Sequence, residues 1–128
     1  MNKELTNEQI ELIKNNEWII FSTADLDNNP RAIIVLVSRV EKNRIIISNI
    51  QMDKTFDNLK HNPKCFINSY ISSANDIQIK LNCTAEIYNE GSLYKEIKEY
   101  EETNNLPEDL KVRSIIVANI DNIEVSEG

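Results

Sequence analysis

Residues 77 to 88, IQIKLNCTAEIY, alternate apolar and polar side chains over twelve positions. Ile77, Ile79, Leu81, Cys83, Ala85 and Ile87 share one face; Gln78, Lys80, Asn82, Thr84, Glu86 and Tyr88 share the other. A period of two belongs to a strand. Burial of one face also fixes the register, because a one-residue slip would turn the whole apolar set toward water.

The rest of the chain supplies strands to pair with it. Trp18 to Ala24 is apolar, β-branched and aromatic, and ends in Ser22-Thr23. Asp25 to Pro30 is a turn in which Asn28 and Asn29 tolerate positive φ without glycine. Arg31 to Val40 follows, with Ala32 to Val37 continuously apolar, a pattern that predicts cover on both faces, as in a barrel or at a subunit interface. Glu41-Lys42-Asn43 turns the chain into Arg44 to Asn49. Cys65 to Ser72 is a further strand, with Cys65, Ile67, Ser69 and Ile71 on one face. Val112 to Val125 reads as a strand pair or one strand bent at Asp121-Asn122.

Helices are few. Thr6 and Gln9 have capping-box spacing, and Leu5 and Ile10 that of a hydrophobic staple, so a first helix starts there and stops at Asn15-Asn16. Glu90 to Asn105 is helical, with Ser92 as candidate N-cap, Leu93, Ile97 and Tyr100 inward, and Glu96, Glu99, Glu101 and Glu102 on a solvated face. About six antiparallel strands with two or three short helices predict a mainly β single domain over 1–128, a closed barrel rather than a doubly wound sheet.

Composition excludes several functions. Glycine occurs only at Gly91 and Gly128, so no Gly-rich phosphate cradle is available. The formal net charge of −7 opposes general binding to nucleic acid or anionic membranes. No apolar run approaches the roughly 20 residues of a bilayer span, and MNKELTNEQ lacks a signal-peptide apolar region. Cys65 and Cys83 lie far apart without a CxxC, and are read as buried thiols in a reducing cytoplasm. His61, the only histidine, is read as a dipole partner near the end of a short helix rather than a base, so no Ser-His-Asp triad is assigned; one histidine, two distant cysteines and no carboxylates at ligand spacing argue against a metal site, and no catalytic acid or base is named.

What remains is a stretch suited to an anion, RIIISNIQMDKTFDNLKHNP at 44 to 63. It reads as a strand, a polar turn and a short helix N-capped by Asp53 and closed by Asn62-Pro63. Ser48, Lys54 and Thr55 fall at the strand end and helix start, where free backbone N–H groups suit a phosphate. Taken alone, these residues also fit a plain strand–helix connection with an exposed lysine. Arg31, opening the neighbouring strand, together with Ser48, Asn49, Lys54, Thr55 and either Lys80 or Gln78, makes up a candidate anion pocket for a mononucleotide cofactor.

The order of three segments, FSTADLDNNPRAIIV, IIISNIQMDKTFDNLKHNP and IQIKLNCTAEI, resembles the pyridoxamine 5′-phosphate oxidase-like family of FMN-binding split β-barrels. The resemblance runs from about Asn16 to Val125. It implies a six-stranded antiparallel split barrel that binds FMN as a homodimer, and an oxidoreductase acting on a small substrate. The alternative it leaves is a non-catalytic flavin-binding or cofactor-free module on the same fold. By the same resemblance Arg31, Lys54 and Thr55 hold the FMN phosphate, and Ser48 and Asn49 line phosphate and ring. Ile33, Ile34 and Val35 run beside the flavin edge, and Gln78 reaches it from the other subunit. Asn28 replaces the family's turn glycine and Cys83 a glycine of the fifth strand. The sequence also lacks the Arg-rich C-terminal segment that binds substrate in true pyridoxamine phosphate oxidases, so that reaction is not assigned.

Overall fold

A computed structural model describes residues 3–16 and 18–127. The elements are α1 (Asn7–Asn16), β1 (Trp18–Ala24), β2 (Pro30–Val40), β3 (Arg44–Asn49), α2 (Lys54–His61), β4 (Lys64–Ile71), a 3-10 turn (Ser72–Ala74), β5 (Ile77–Tyr88), α3 (Ser92–Asn104) and β6 (Ser114–Glu127). All strand pairings are antiparallel and close a six-stranded barrel in the order β1-β2-β3-β6-β5-β4.

The alternation of β5 sets the inside. Ile79, Leu81 and Cys83 are buried and meet Phe21, Ile45, Ile47, Ile67 and Ile116 in one core. Cys83 therefore points into the barrel, in register with Cys65 of β4, and both thiols are free. The Cys65 contact and burial push the Cys83 thiol pKa upward, so it stays protonated.

The last strand is a single one. Its register with β5 slips at Asp121, between the pairs Asn82↔Asn122 and Cys83↔Ile120, which makes the expected bend a β-bulge. A second bulge falls in β2: Val37 pairs with Ile47 and Arg39 with Ile46, leaving Ser38 as the extra residue.

Within one chain the strand covered on both faces is β3, whose Ile46 packs outward against Ile97, Val112, Ile115 and Val117 beneath α3, and the outer face of β2 is left for a subunit interface to cover. The outward residues of β2 are open, Ile34 at 69 % and Leu36 at 44 % exposure. On α3 the buried stripe continues from Ile97 to Glu101, four residues on, while Tyr100 is 56 % exposed. Glu101 is thus buried rather than part of a solvated acidic face. The α3 N-cap is Gly91 instead of Ser92, at φ +96°, where glycine carries no Cβ penalty.

The first helix starts as its sequence predicts. Thr6 N–H donates to Gln9 Oε1 at 2.9 Å, and Gln9 N–H to Thr6 Oγ1 at 3.1 Å.

Candidate functional site

The turn between β1 and β2 is braced by one carboxylate. Asp25 Oδ1 accepts the N–H groups of Asp27 and Asn29, and Oδ2 accepts Asn29 Nδ2. The Asn29 backbone and side-chain amides hold Asp25 below the usual carboxylate range. Asn28 takes φ 64°, as the missing glycine requires. This rigid turn delivers Arg31 at the start of β2, exposed and in register with Thr23.

Helix α2 arrives from the other side. Thr55 and Leu59 are buried and anchor it, and Asn58 Nδ2 donates to the buried Thr23 Oγ1 at 3.1 Å. Asp53 sits at the N-cap position, but its side chain makes no cap bond and instead accepts Arg113 Nη1 at 3.2 Å. Lys54, the first helical residue, is exposed.

Arg31 and Lys54 line one hollow of about 590 Å³, together with Asp25, Asn29, Pro30, Asp53, Asp57 and Asn58. Its carboxylates are each engaged elsewhere: Asp25 with its own turn, Asp53 with Arg113, and Asp57 with Lys60 at 3.8 Å. Among the described residues neither Arg31 nor Lys54 has an ion-pair partner. Two free cations from separate elements, beside a helix N-terminus, are a donor set that matches a phosphate.

The remaining candidate residues have other placements. Ser48 Oγ is paired with Ser38 Oγ at 2.7 Å. Asn49 is a clamp: its Nδ2 donates to Ser114 Oγ, its Oδ1 accepts Met52 N–H, and its carbonyl accepts Arg113 N–H. It thereby fixes the turn that leads into α2. Val35 faces the core, Ile33 is half-buried against it, and Ile34 faces out. Gln78 lies at the other end of the barrel. It pairs with Tyr70, five positions along β4 from the Cys65 that pairs with Thr23, or about 17 Å of strand. One chain therefore does not bring Gln78 to the Arg31–Lys54 hollow.

Asn58 and Ser38 were not candidate site residues from the sequence, and Asn29 was read only as a turn residue. Asn58 falls within the segment IIISNIQMDKTFDNLKHNP that carries the resemblance; the Ser38 bulge depends on strand register and has no local signal. No group of three or more His, Cys, Asp or Glu suited to a metal occurs among the described residues, and no described helix is long and apolar enough to cross a membrane.

Comparison with known proteins gives a consistent picture. An uncharacterised protein of Methanocaldococcus jannaschii is 32 % identical over 125 residues, covering 94 % of this chain and 79 % of that protein. A variant of HupZ from Group A Streptococcus has the same fold, with a TM-score of 0.82 at 19 % identity over 94 % of this chain and 98 % of the other. An FMN-binding protein from Syntrophomonas wolfei subsp. wolfei superposes with a TM-score of 0.77 at 19 % identity, over 93 % and 84 % of the two chains. The sequence profile of the family described as Pyridoxamine 5′-phosphate oxidase matches residues 5–126, which takes in five strands whole and all but the last residue of β6. This chain therefore belongs to the pyridoxamine 5′-phosphate oxidase family.

Proposed function

We propose that this protein is an FMN-binding flavoprotein of the cytoplasm, an oxidoreductase for a small substrate that works as a homodimer. The observation that carries the reading is the convergence of Arg31 and Lys54, neither with an ion-pair partner among the described residues, on one hollow beside the start of α2. Membership of the family, and the shared fold with an FMN-binding protein, support flavin as the occupant. FMN supplies the redox chemistry when bound. The chain supplies position and charge. Arg31, Lys54 and the first N–H groups of α2 hold the phosphate, with Thr55 setting the helix start from beneath. Ser48 and Asn49 shape the strand end, and the backbone of Ile33, Ile34 and Val35 flanks the ring.

The dimer reading rests on an exposed face. Trp18 pairs with Leu36 and Ile20 with Ile34, so all four project outward from β1 and β2, joined by Tyr70 of β4. They are 41 to 69 % exposed, a contiguous apolar surface of the kind that marks an interface. Gln78 pairs with Tyr70 beside this face, and this supports the reading that it reaches a flavin bound on the facing subunit. Sedimentation of the purified protein should give two chains per particle, and Ile34→Asp should give one. A monomeric parent protein would remove the dimer from the account.

The cofactor itself is tested by incubating the purified protein with FMN, desalting it, and reading the visible spectrum. Flavin bands near one per chain are expected. A protein that stays colourless would favour a cofactor-free binding module on the same barrel.

A further inference from the structure

Cys65 of β4 and Cys83 of β5 have no part in the flavin reading, yet they are direct cross-strand partners. Both are free, buried and in the core of the barrel, with Leu59 of α2 in the same cluster. Cys65 also pairs with Thr23, which holds Asn58, so the two thiols sit at the end of the barrel that α2 covers.

The ladder fixes their spacing. Ala85 N–H donates to the Pro63 carbonyl at 2.8 Å, which makes those two residues a hydrogen-bonded pair. Two positions on, in the same register, Cys65 and Cys83 are again a hydrogen-bonded pair, with Cα atoms about 5.5 Å apart. A disulfide spans Cα separations of about 4.4–6.8 Å. Its Cβ atoms must close by about 1 Å from their usual cross-strand distance. The β6 bulge lies beside Cys83, between the pairs Asn82↔Asn122 and Cys83↔Ile120, and gives that position slack to move.

The thiols differ in access. Cys65 is the second residue of β4, follows the exposed Lys64 and is 7 % exposed; Cys83 is 1 % exposed. Contact with Cys65, together with burial, keeps the Cys83 thiol protonated. A small oxidant therefore meets Cys65 first.

We propose that Cys65 and Cys83 form a reversible disulfide within the chain, with hydrogen peroxide as oxidant. Cys65 Sγ attacks the peroxide: an S–O bond forms, the O–O bond breaks, and the released hydroxide leaves as water with the thiol proton. Cys83 Sγ then attacks Cys65 Sγ: the S–S bond forms, the S–O bond breaks, and the second hydroxide leaves as water with the Cys83 proton. The pair gives up two electrons and the peroxide ends as two waters. Drawing the Cβ atoms together strains the bridge, and strained bridges are the ones that thiols reopen. The inference stands independently of the flavin reading.

The test treats the purified full chain with hydrogen peroxide under native conditions and maps its peptides. Trypsin cuts after Lys64, Lys80 and Lys95, so Cys65 leaves in 65–80 and Cys83 in 81–95. The two peptides should emerge joined, with both free thiols lost, the chain monomeric on a non-reducing denaturing gel, the circular dichroism unchanged, and both thiols recovered with dithiothreitol. Cys83→Ser should stop at the Cys65 sulfenic acid and trap at least about tenfold more dimedone than the parent. Cys65→Ser should leave Cys83 reduced. Survival of both thiols in the parent, oxidation to sulfinic or sulfonic acid without a bridge, a bridge between chains, or oxidation of Cys83 in Cys65→Ser as fast as in the parent would each overturn the proposal. If either variant does not fold, the peptide map and gel of the parent still decide.

Discussion

Arg31→Ala combined with Lys54→Ala is expected to abolish retention of FMN through desalting while leaving the barrel folded. A hydrogen bond to a charged group contributes about 1.5–3 kcal/mol, so losing two weakens binding by about 3–6 kcal/mol, two orders of magnitude or more. Both side chains are exposed and make no ion pair among the described residues, so their removal leaves no buried partner stranded. Their loss should therefore register in flavin affinity, read by quenching of flavin fluorescence, and hardly at all in thermal stability. Each single variant should fall between parent and double. Full retention of FMN by the double variant would move the phosphate away from this hollow.

Phe21→Ala has the opposite signature. Phe21 is fully buried at the centre of the barrel, on the strand that closes it by pairing with both β2 and β4. Truncation leaves a cavity that the closed sheet cannot collapse around, with a cost of about 3–5 kcal/mol. Against a domain stability of roughly 5–15 kcal/mol this is a large fraction. The melting temperature should drop on the order of 10 °C or more, followed by circular dichroism at fixed protein concentration. A loss below about 1 kcal/mol would mean that the Phe21 site repacks and that the core is not organised as described.

The two results separate what the sequence shows well from what it shows poorly. Strands were legible because period-two alternation and the antiparallel order with short turns are local facts, as in β5 and the β1–β2–β3 run. The capping box at Thr6 and Gln9 was legible for the same reason. Facing on α3 was not. Tyr100 and Glu101 stand at i+7 and i+8 from Leu93, and only the packing of α3 on β6 and β3 decides which turns inward. The bulges at Ser38 and Asp121 were hidden because a bulge is a mismatch between two strands.

The anion site was half legible. Lys54, Thr55 and Ser48 announce a helix start beside a strand end, and Arg31 is readable as a strand opener. Whether those cations are free depends on ion pairs between distant segments. Asp53 is taken by Arg113, sixty residues away, and Lys54 has no ion-pair partner among the described residues. Asn49 carried a different lesson. It was legible as a polar strand end, but its side chain is occupied in bracing Met52 and Ser114, so it shapes the turn into α2.

The central claim is that a flavin is held here through its phosphate by Arg31 and Lys54. Parallel titrations of the purified protein with FMN and with riboflavin, which lacks only that phosphate, test it most directly. The account predicts that FMN binds at least about a hundredfold more tightly, because the two charge-assisted contacts exist for FMN alone. Equal affinity for the two flavins would contradict it.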